Sequence, residues 1–178
     1  MKMIKKILIV LGICILIFLG YVTTKPNSYR VERKIEIKTS PEKVFDSVNN
    51  LKNWALWSPW DKLDPDMKRI YSGPESGKGA IYEWKGNKDV GSGRMEISES
   101  DSPKKIIFQI QFLEPFEDKS ITEFLFNENG EFITITWAMN GNYNFMSKVM
   151  CTFISMDNMI GKDFETGLKN LKALLEAK

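Results

Sequence analysis

Between Asn144 and Lys178 apolar residues return every three or four positions: Phe145, Val149, Phe153, Met156, Ile160, Phe164, Leu168, Leu171 and Leu175. That is the period of one helical face. Lys148, Ser155, Asn158, Lys162, Glu165, Lys169, Lys172 and Glu176 supply the opposite, polar face. The spacing predicts one long amphipathic helix over 144–178, whose stripe must be buried against another element. Gly167 falls near the centre of that stripe. Glycine costs about 1 kcal/mol against alanine inside a helix, so its presence predicts a close approach to whatever the helix packs on. Asp157 is expected at the rim of the stripe. Met146, Met150, Met156 and Met159 gather in the upstream half. Such soft side chains suit either an irregular core or an adaptable ligand site.

Upstream the period shortens to two. In Tyr29–Ser40, Val31, Ile35 and Ile37 share one face and Arg30, Glu32, Lys34, Glu36 and Lys38 the other, which predicts a strand with one wet side. Ser40-Pro41 then starts a short helix, with Ser40 as N-cap and Val44, Phe45 and Val48 as its apolar face. A second short helical piece is centred on 51–56. Six further strands are expected at 68–71, 80–84, 93–100, 106–112, 120–126 and 131–139. The last two flank Asn129-Gly130, a hairpin signal. The pattern predicts an α+β fold. A curved antiparallel sheet of about six to seven strands wraps around one long C-terminal helix, an arrangement that leaves room for a cavity.

The N-terminus is different in kind. Ile7–Val22 is an unbroken apolar run behind Lys5 and Lys6. It is short against the roughly 20 residues of a membrane span, and Ile4 and snorkelling lysines extend it. No small-residue A-x-A cleavage pattern follows. The reading is a single-pass anchor over 1–22, in contact with the cell membrane through 4–22. A short tether over 23–28 and a folded domain over 29–178 come after it. A cleaved signal peptide is the alternative. Lys2, Lys5 and Lys6 favour a cytoplasmic N-terminus and hence a domain on the extracytoplasmic side.

Charge and composition exclude several classes of function. Without the three leading lysines, 22 basic residues face 23 acidic ones (25 − 3 against 23), so the domain has no electrostatic footprint for nucleic acid. There is no histidine, which removes histidine-activated nucleophiles and most zinc sites. Cys14 lies in the apolar run and Cys151 far from it, so no intramolecular disulfide is expected. The loop at 86–91 has neither the G-K-[ST] signature of a phosphate loop nor a following helix. No metal site, cofactor or catalytic residue set is read from the chain. Glu83 and Glu96 alternate outward and Asp89 sits in a glycine-rich loop.

Trp54-Ala55-Leu56-Trp57-Ser58-Pro59-Trp60 holds three tryptophans in seven residues. This is either a hydrophobic plug for one end of the core or an aromatic wall on a cavity. The Ser40-Pro41-Glu42-Lys43-Val44-Phe45 start and Trp57-Ser58-Pro59-Trp60 belong to a wider pattern. So do Tyr82 and Trp84 before Gly86-Asn87, Gly91 with Gly93, the run from Trp137 to Gly141, and the closing Gly161, Phe164, Glu165, Gly167-Leu168 and Leu171-Lys172. Together they resemble the START/Bet v 1-like superfamily, and within it the bacterial SRPBCC (polyketide cyclase/dehydrase-type) proteins, in a subgroup with an N-terminal membrane segment. The resemblance covers 29–178. It implies a helix-grip fold with a deep hydrophobic ligand cavity between helix and sheet, and no single activity. Members bind lipids, sterols or plant hormones, cyclise polyketides or act as co-chaperone-like modules, and share no catalytic set.

The expected function is a membrane-tethered binding module for a hydrophobic or lipid-like small molecule. The residues expected to line its site are Trp57, Trp60, Tyr82, Trp84, Phe108, Trp137, Met139, Met150, Phe153 and Met156. Two alternatives stand beside it. One is a cyclase/dehydratase-like enzyme, which would need a cavity-facing carboxylate or Tyr82 with a shifted pKa. The other is a domain with a filled core that docks a protein partner.

Overall fold

The computed structural model describes residues 2–177. Helix α1 (Lys2–Thr23) leads into strand β1 (Ser28–Ile37). Three short helices follow, α2 (Pro41–Asn49), α3 (Trp54–Trp57) and α4 (Trp60–Leu63). Next come β2 (Lys68–Ser72), β3 (Ile81–Lys85), β4 (Ser92–Asp101), β5 (Lys105–Glu114), β6 (Asp118–Asn129) and β7 (Phe132–Asn142). The chain ends with α5 (Phe145–Cys151) and α6 (Met156–Glu176). The seven strands form one antiparallel sheet in the order β1-β7-β6-β5-β4-β3-β2. Its concave face grips α6, as a helix-grip fold requires.

Local chemistry sets the boundaries. The Ser40 side chain accepts the Lys43 N–H, and Pro41 occupies the first turn of α2, where its missing N–H costs nothing. Asn129-Gly130 turns β6 into β7, with Gly130 at φ 64°. Alternation then sends Ile106 and Phe108, Phe124 and Phe126, and Ile133, Ile135 and Trp137 into the core. Phe164, Leu168 and Leu171 of α6 meet them there.

The expected single helix over 144–178 is two. Residues 152–155 break it, because the Ser155 side chain accepts the Asn158 N–H at 3.2 Å and caps α6, while Asn144 caps α5 through the Ser147 N–H at 2.8 Å. A serine that offers the backbone such a bond competes with helix continuation. The apolar stripe therefore splits. Its C-terminal half is buried on the sheet; Phe145, Met146, Phe153 and Ile154 are exposed.

Both helix glycines mark close approaches. A Cβ on Gly167 would lie 2.8 Å from Trp137 Cζ3 and 3.2 Å from Pro59 Cδ. A Cβ on Gly161 would run into the Arg33 guanidinium. Arg33 lies on the inward alternation of β1 and clamps α6, with Nη1 donating to Asp157 Oδ1 at 2.7 Å and Nε to Glu165 Oε1 at 2.8 Å. Asp157 is at the rim, as expected, and ion-paired there.

Helix α1 is long and apolar enough to be a membrane span or a signal sequence. Most of its length projects free of the domain, but Val22 is fully buried. The segment between α1 and β1, residues 24–27, is pinned: Asn27 accepts the Tyr143 N–H at 2.8 Å and the Lys148 ammonium at 2.6 Å. The expected tether is thus short and bound to the domain.

Candidate functional site

Where α3, α4 and the first turns of α6 face the sheet, packing is incomplete. A cavity of about 210 Å³ remains. Its wall is almost wholly apolar, contributed by Met95, Ile110, Phe112, Met139, Met156, Ile160 and Phe164 together with aromatic side chains.

Trp60, Tyr82, Trp84, Trp137, Met139 and Met156 line this space together. The other four expected residues do not. Trp57 and Phe108 are fully buried behind the wall. The tryptophan motif divides its roles: Trp54 Nε1 donates to Val48 O at 2.9 Å and Trp57 Nε1 to Ser47 O at 3.2 Å, which locks both as a plug. Trp54 also reaches the cavity, and Trp60 is wall. Met150 and Phe153 fail for a different reason. They sit on the far side of the break at 152–155, exposed beside α1, with the Phe153 ring 6.0 Å from that of Phe18.

Several lining residues escaped the sequence reading. Met95, Ile110 and Phe112 follow the inward alternation of their strands. Asp118 and Thr122 share a face with the core residues Phe124 and Phe126, so the same period points them inward. Asp61 carried no signal, because its partner Arg69 becomes adjacent only when α4 folds over β2. Arg69 Nε donates to Asp61 Oδ1 at 2.8 Å and Nη1 to Met67 O at 2.8 Å, so this carboxylate in the wall is charge-paired.

Two phenols share the wall with these acids. Burial, reinforced by the Asp61 carboxylate, pushes the Tyr82 phenol well above its ordinary value. Burial and then Asp118 do the same to Tyr29. Both are protonated at neutral pH and so carry an O–H available to donate.

Deeper in, Trp137 is held face to face with Phe164, ring centroids 4.1 Å apart at 6°, and with Phe124 at 4.9 Å. This fixes the indole plane. Its Nε1–H, and the Thr122 hydroxyl on the neighbouring strand, are buried and find no hydrogen-bond partner among the described residues. Both residues line the cavity. An unpaired buried polar group costs about 1–3 kcal/mol. The wall thus holds one N–H donor and one hydroxyl just beneath its surface, each without a partner of its own.

Comparison with known proteins places this geometry in a family context. Residues 28–176 match the family model described as polyketide cyclase / dehydrase and lipid transport. No curated protein matches the chain. Among solved structures, hypothetical protein jhp0584 from Helicobacter pylori superposes with a TM-score of 0.64 at 10% identity, covering 83% of this chain and 88% of that one. The major latex-like protein 151 of Panax ginseng gives a TM-score of 0.58 at 11% identity, over 85% and 100%. The Aha1 dimer from Colwellia psychrerythraea gives 0.57 at 16%, over 83% and 96%. At these identities the likeness establishes the fold alone.

Proposed function

The chain belongs to the polyketide cyclase/dehydrase and lipid transport family, and from that premise we propose that it binds a small hydrophobic molecule bearing a hydrogen-bond acceptor, at a membrane surface. The observation that carries this reading is the apolar cavity with the Trp137 N–H and the Thr122 hydroxyl unpaired in its wall. A carbonyl, ether or hydroxyl oxygen on a ligand packed against these residues would give either group the partner it lacks. Size narrows the class. A space of about 210 Å³ holds roughly seven waters' worth of ligand at ~30 Å³ each. It is below the roughly 300–1,000 Å³ of sites for drug-sized ligands. It takes a compact molecule or the end of a longer chain. The presence of this space weighs against the filled core of a purely protein-docking domain.

The membrane part of the reading rests on Val22. A leader removed after translocation would take with it a side chain that is fully buried where α1 meets the domain at α5. We therefore read α1 as a retained anchor, with the domain on the extracytoplasmic side as the lysines ahead of the span favour.

The experiment is native mass spectrometry of the full chain released from lipid nanodiscs, followed by organic extraction. A reproducible adduct of one hydrophobic compound supports the reading. A bare protein mass, together with no uptake of a hydrophobic fluorescent probe, overturns it.

A cyclase-like reaction is the second reading. It draws on the phenol and carboxyl neighbours in the wall, Tyr29 with Asp118 and Tyr82 with Asp61. A phenol held protonated can donate to an oxygen that gains charge in such a reaction. On this reading Tyr29→Phe or Tyr82→Phe removes conversion of a bound substrate while leaving its affinity largely intact.

A further inference from the structure

Helix α5 has an apolar face that nothing in the domain covers. Phe145 is 52% exposed, Met146 69% and Phe153 75%, and Ile154 and Met150 extend the same surface. A contiguous apolar surface of this kind on a folded domain marks a contact with something else.

Four observations say what. The patch is continuous with α1: Phe153 stacks on Phe18, little more than a turn before that helix ends at Thr23. The pinned segment 24–27 holds α5 against the end of α1 through the Asn27 contacts with Tyr143 and Lys148. Residues 144–156 carry a single charged side chain, Lys148, and it lies on the linker side of α5. The groups around the junction are those that favour a headgroup layer: Tyr21, with the Lys25 ammonium 4.4 Å above its ring, and Tyr143. A protein partner would need only the apolar face. The continuity with a membrane-length helix and the tyrosine–lysine collar select a lipid surface.

We propose that α5 and the turn after it, 145–154, lie in the plane of the bilayer interface, with their apolar side chains among the upper acyl segments of the bilayer that α1 crosses. This rests on the reading of α1 as a retained anchor. It has a consequence for the cavity. A hollow of about 360 Å³ between the linker and α5, bordered by Lys25, Pro26 and Cys151, shares Tyr29 and Met156 with the cavity wall. A ligand entering from the membrane side would pass the Tyr29–Met156 partition, beside the charged Arg30, Lys148 and Asp157 that also border the hollow.

The test uses the full chain in nanodiscs of phosphatidylcholine and phosphatidylglycerol, with Cys14→Ser and Cys151→Ser as background. An environment-sensitive fluorophore is attached through Met146→Cys, Phe153→Cys, Phe132→Cys or Ile13→Cys, one at a time. Phe132 is the control, 41% exposed at the start of β7, at the end of the sheet away from α1. Ile13 reports on α1. Nitroxide lipids labelled near the headgroup are expected to quench the probes at 146 and 153 several-fold more than the probe at 132. The probe at 13 is expected to be quenched best by deep nitroxides. Quenching at 13 with none at 146 and 153 beyond the control overturns the α5 proposal and leaves the anchor reading standing. Loss of quenching at 13 overturns the anchor reading itself. Probes at 146 and 153 that are shielded from water, unquenched by lipid and accompanied by a dimer mass assign the face to a second copy, which also overturns the proposal. Hydrogen exchange of the unmodified chain gives a check free of substitutions: amides of 145–154 should exchange more slowly in nanodiscs than in detergent, and equal rates count against the bilayer.

Discussion

Trp137 is the residue on which most of the interior converges. It stacks on Phe124 and Phe164, abuts Gly167 and borders the cavity, so its position cannot relax when a neighbour grows. That decides the outcome of Gly167→Ala. Alanine gains about 1 kcal/mol of helix propensity, but its Cβ would press on an immobilised indole, and overpacking a filled site costs about 1–3 kcal/mol. The substitution should destabilise the domain by about 1 kcal/mol or more, measured by chemical denaturation. Gly161→Ala makes the opposite case. Its Cβ meets the end of the Arg33 side chain and, at 3.3 Å, the Asp157 carboxylate, both of which can swing toward solvent. The same propensity gain then offsets the loss of a partly exposed ion pair worth up to ~1 kcal/mol, and stability should change little. Thr122→Val separates binding from folding. It keeps the β-branched shape and removes a buried hydroxyl without a partner, so the ligand-free domain should be unchanged or stabilised by up to ~1 kcal/mol. Ligand retention in native mass spectra should fall. Unaltered retention would show that the hydroxyl does not meet the ligand.

At the scale of elements, the clamp between β1 and α6 is electrostatic and so responds to acid. Hydrogen bonding from Arg33 holds Asp157 below its ordinary range, and hydrogen bonding from Arg30, then Lys34, does the same for Glu32. With folded pKa values depressed, these groups contribute stability above about pH 4, near their unfolded values. The contribution is lost as pH falls through the folded values. Asp163, raised by burial, has the opposite sign and recovers stability on protonation. Arg33→Met should flatten the loss of stability below about pH 4 relative to the parent, read from denaturation midpoints along a pH series. An unchanged slope would mean that the clamp does not contribute. Element by element, the sheet was legible because Phe124, Trp137 and their neighbours repeat with a strict period of two. The position of Thr122 in the wall follows from that period, and Arg33 could have been placed inward by the same count from Val31. The break at 152–155 was not legible. Ser155 fits the polar face of a continuous helix as well as it fits an N-cap, and a linear pattern does not choose between them. The misplacement of Met150 and Phe153 follows from that one ambiguity. Trp57 and Phe108 were misplaced because an inward-facing residue is core or cavity wall according to depth along the sheet, which a linear pattern does not encode.

For the molecule as a whole, the central question is whether the mature chain keeps α1. On the retained-anchor reading, the burial of Val22 predicts an intact mass that includes α1 and a protein that stays with membranes after alkaline carbonate washing. A mature mass lacking the first 22 or so residues, with the protein in the soluble fraction, would reassign α1 as a leader. The segment that joins α1 to the domain also sets how far the two can separate. Residues 24–27 span at most ~14 Å even fully stretched, at ~3.3–3.6 Å per residue, and the contacts of Asn27 shorten that further. With α1 held in a bilayer as proposed, a domain on so short a lead could not ferry cargo across an aqueous gap to another membrane. It would meet a membrane-dissolved ligand by diffusion in two dimensions, and its occupancy would follow the mole fraction of ligand in the surrounding leaflet rather than the molar concentration in the bulk. Diluting the vesicles at fixed lipid composition should leave the cavity as full as before.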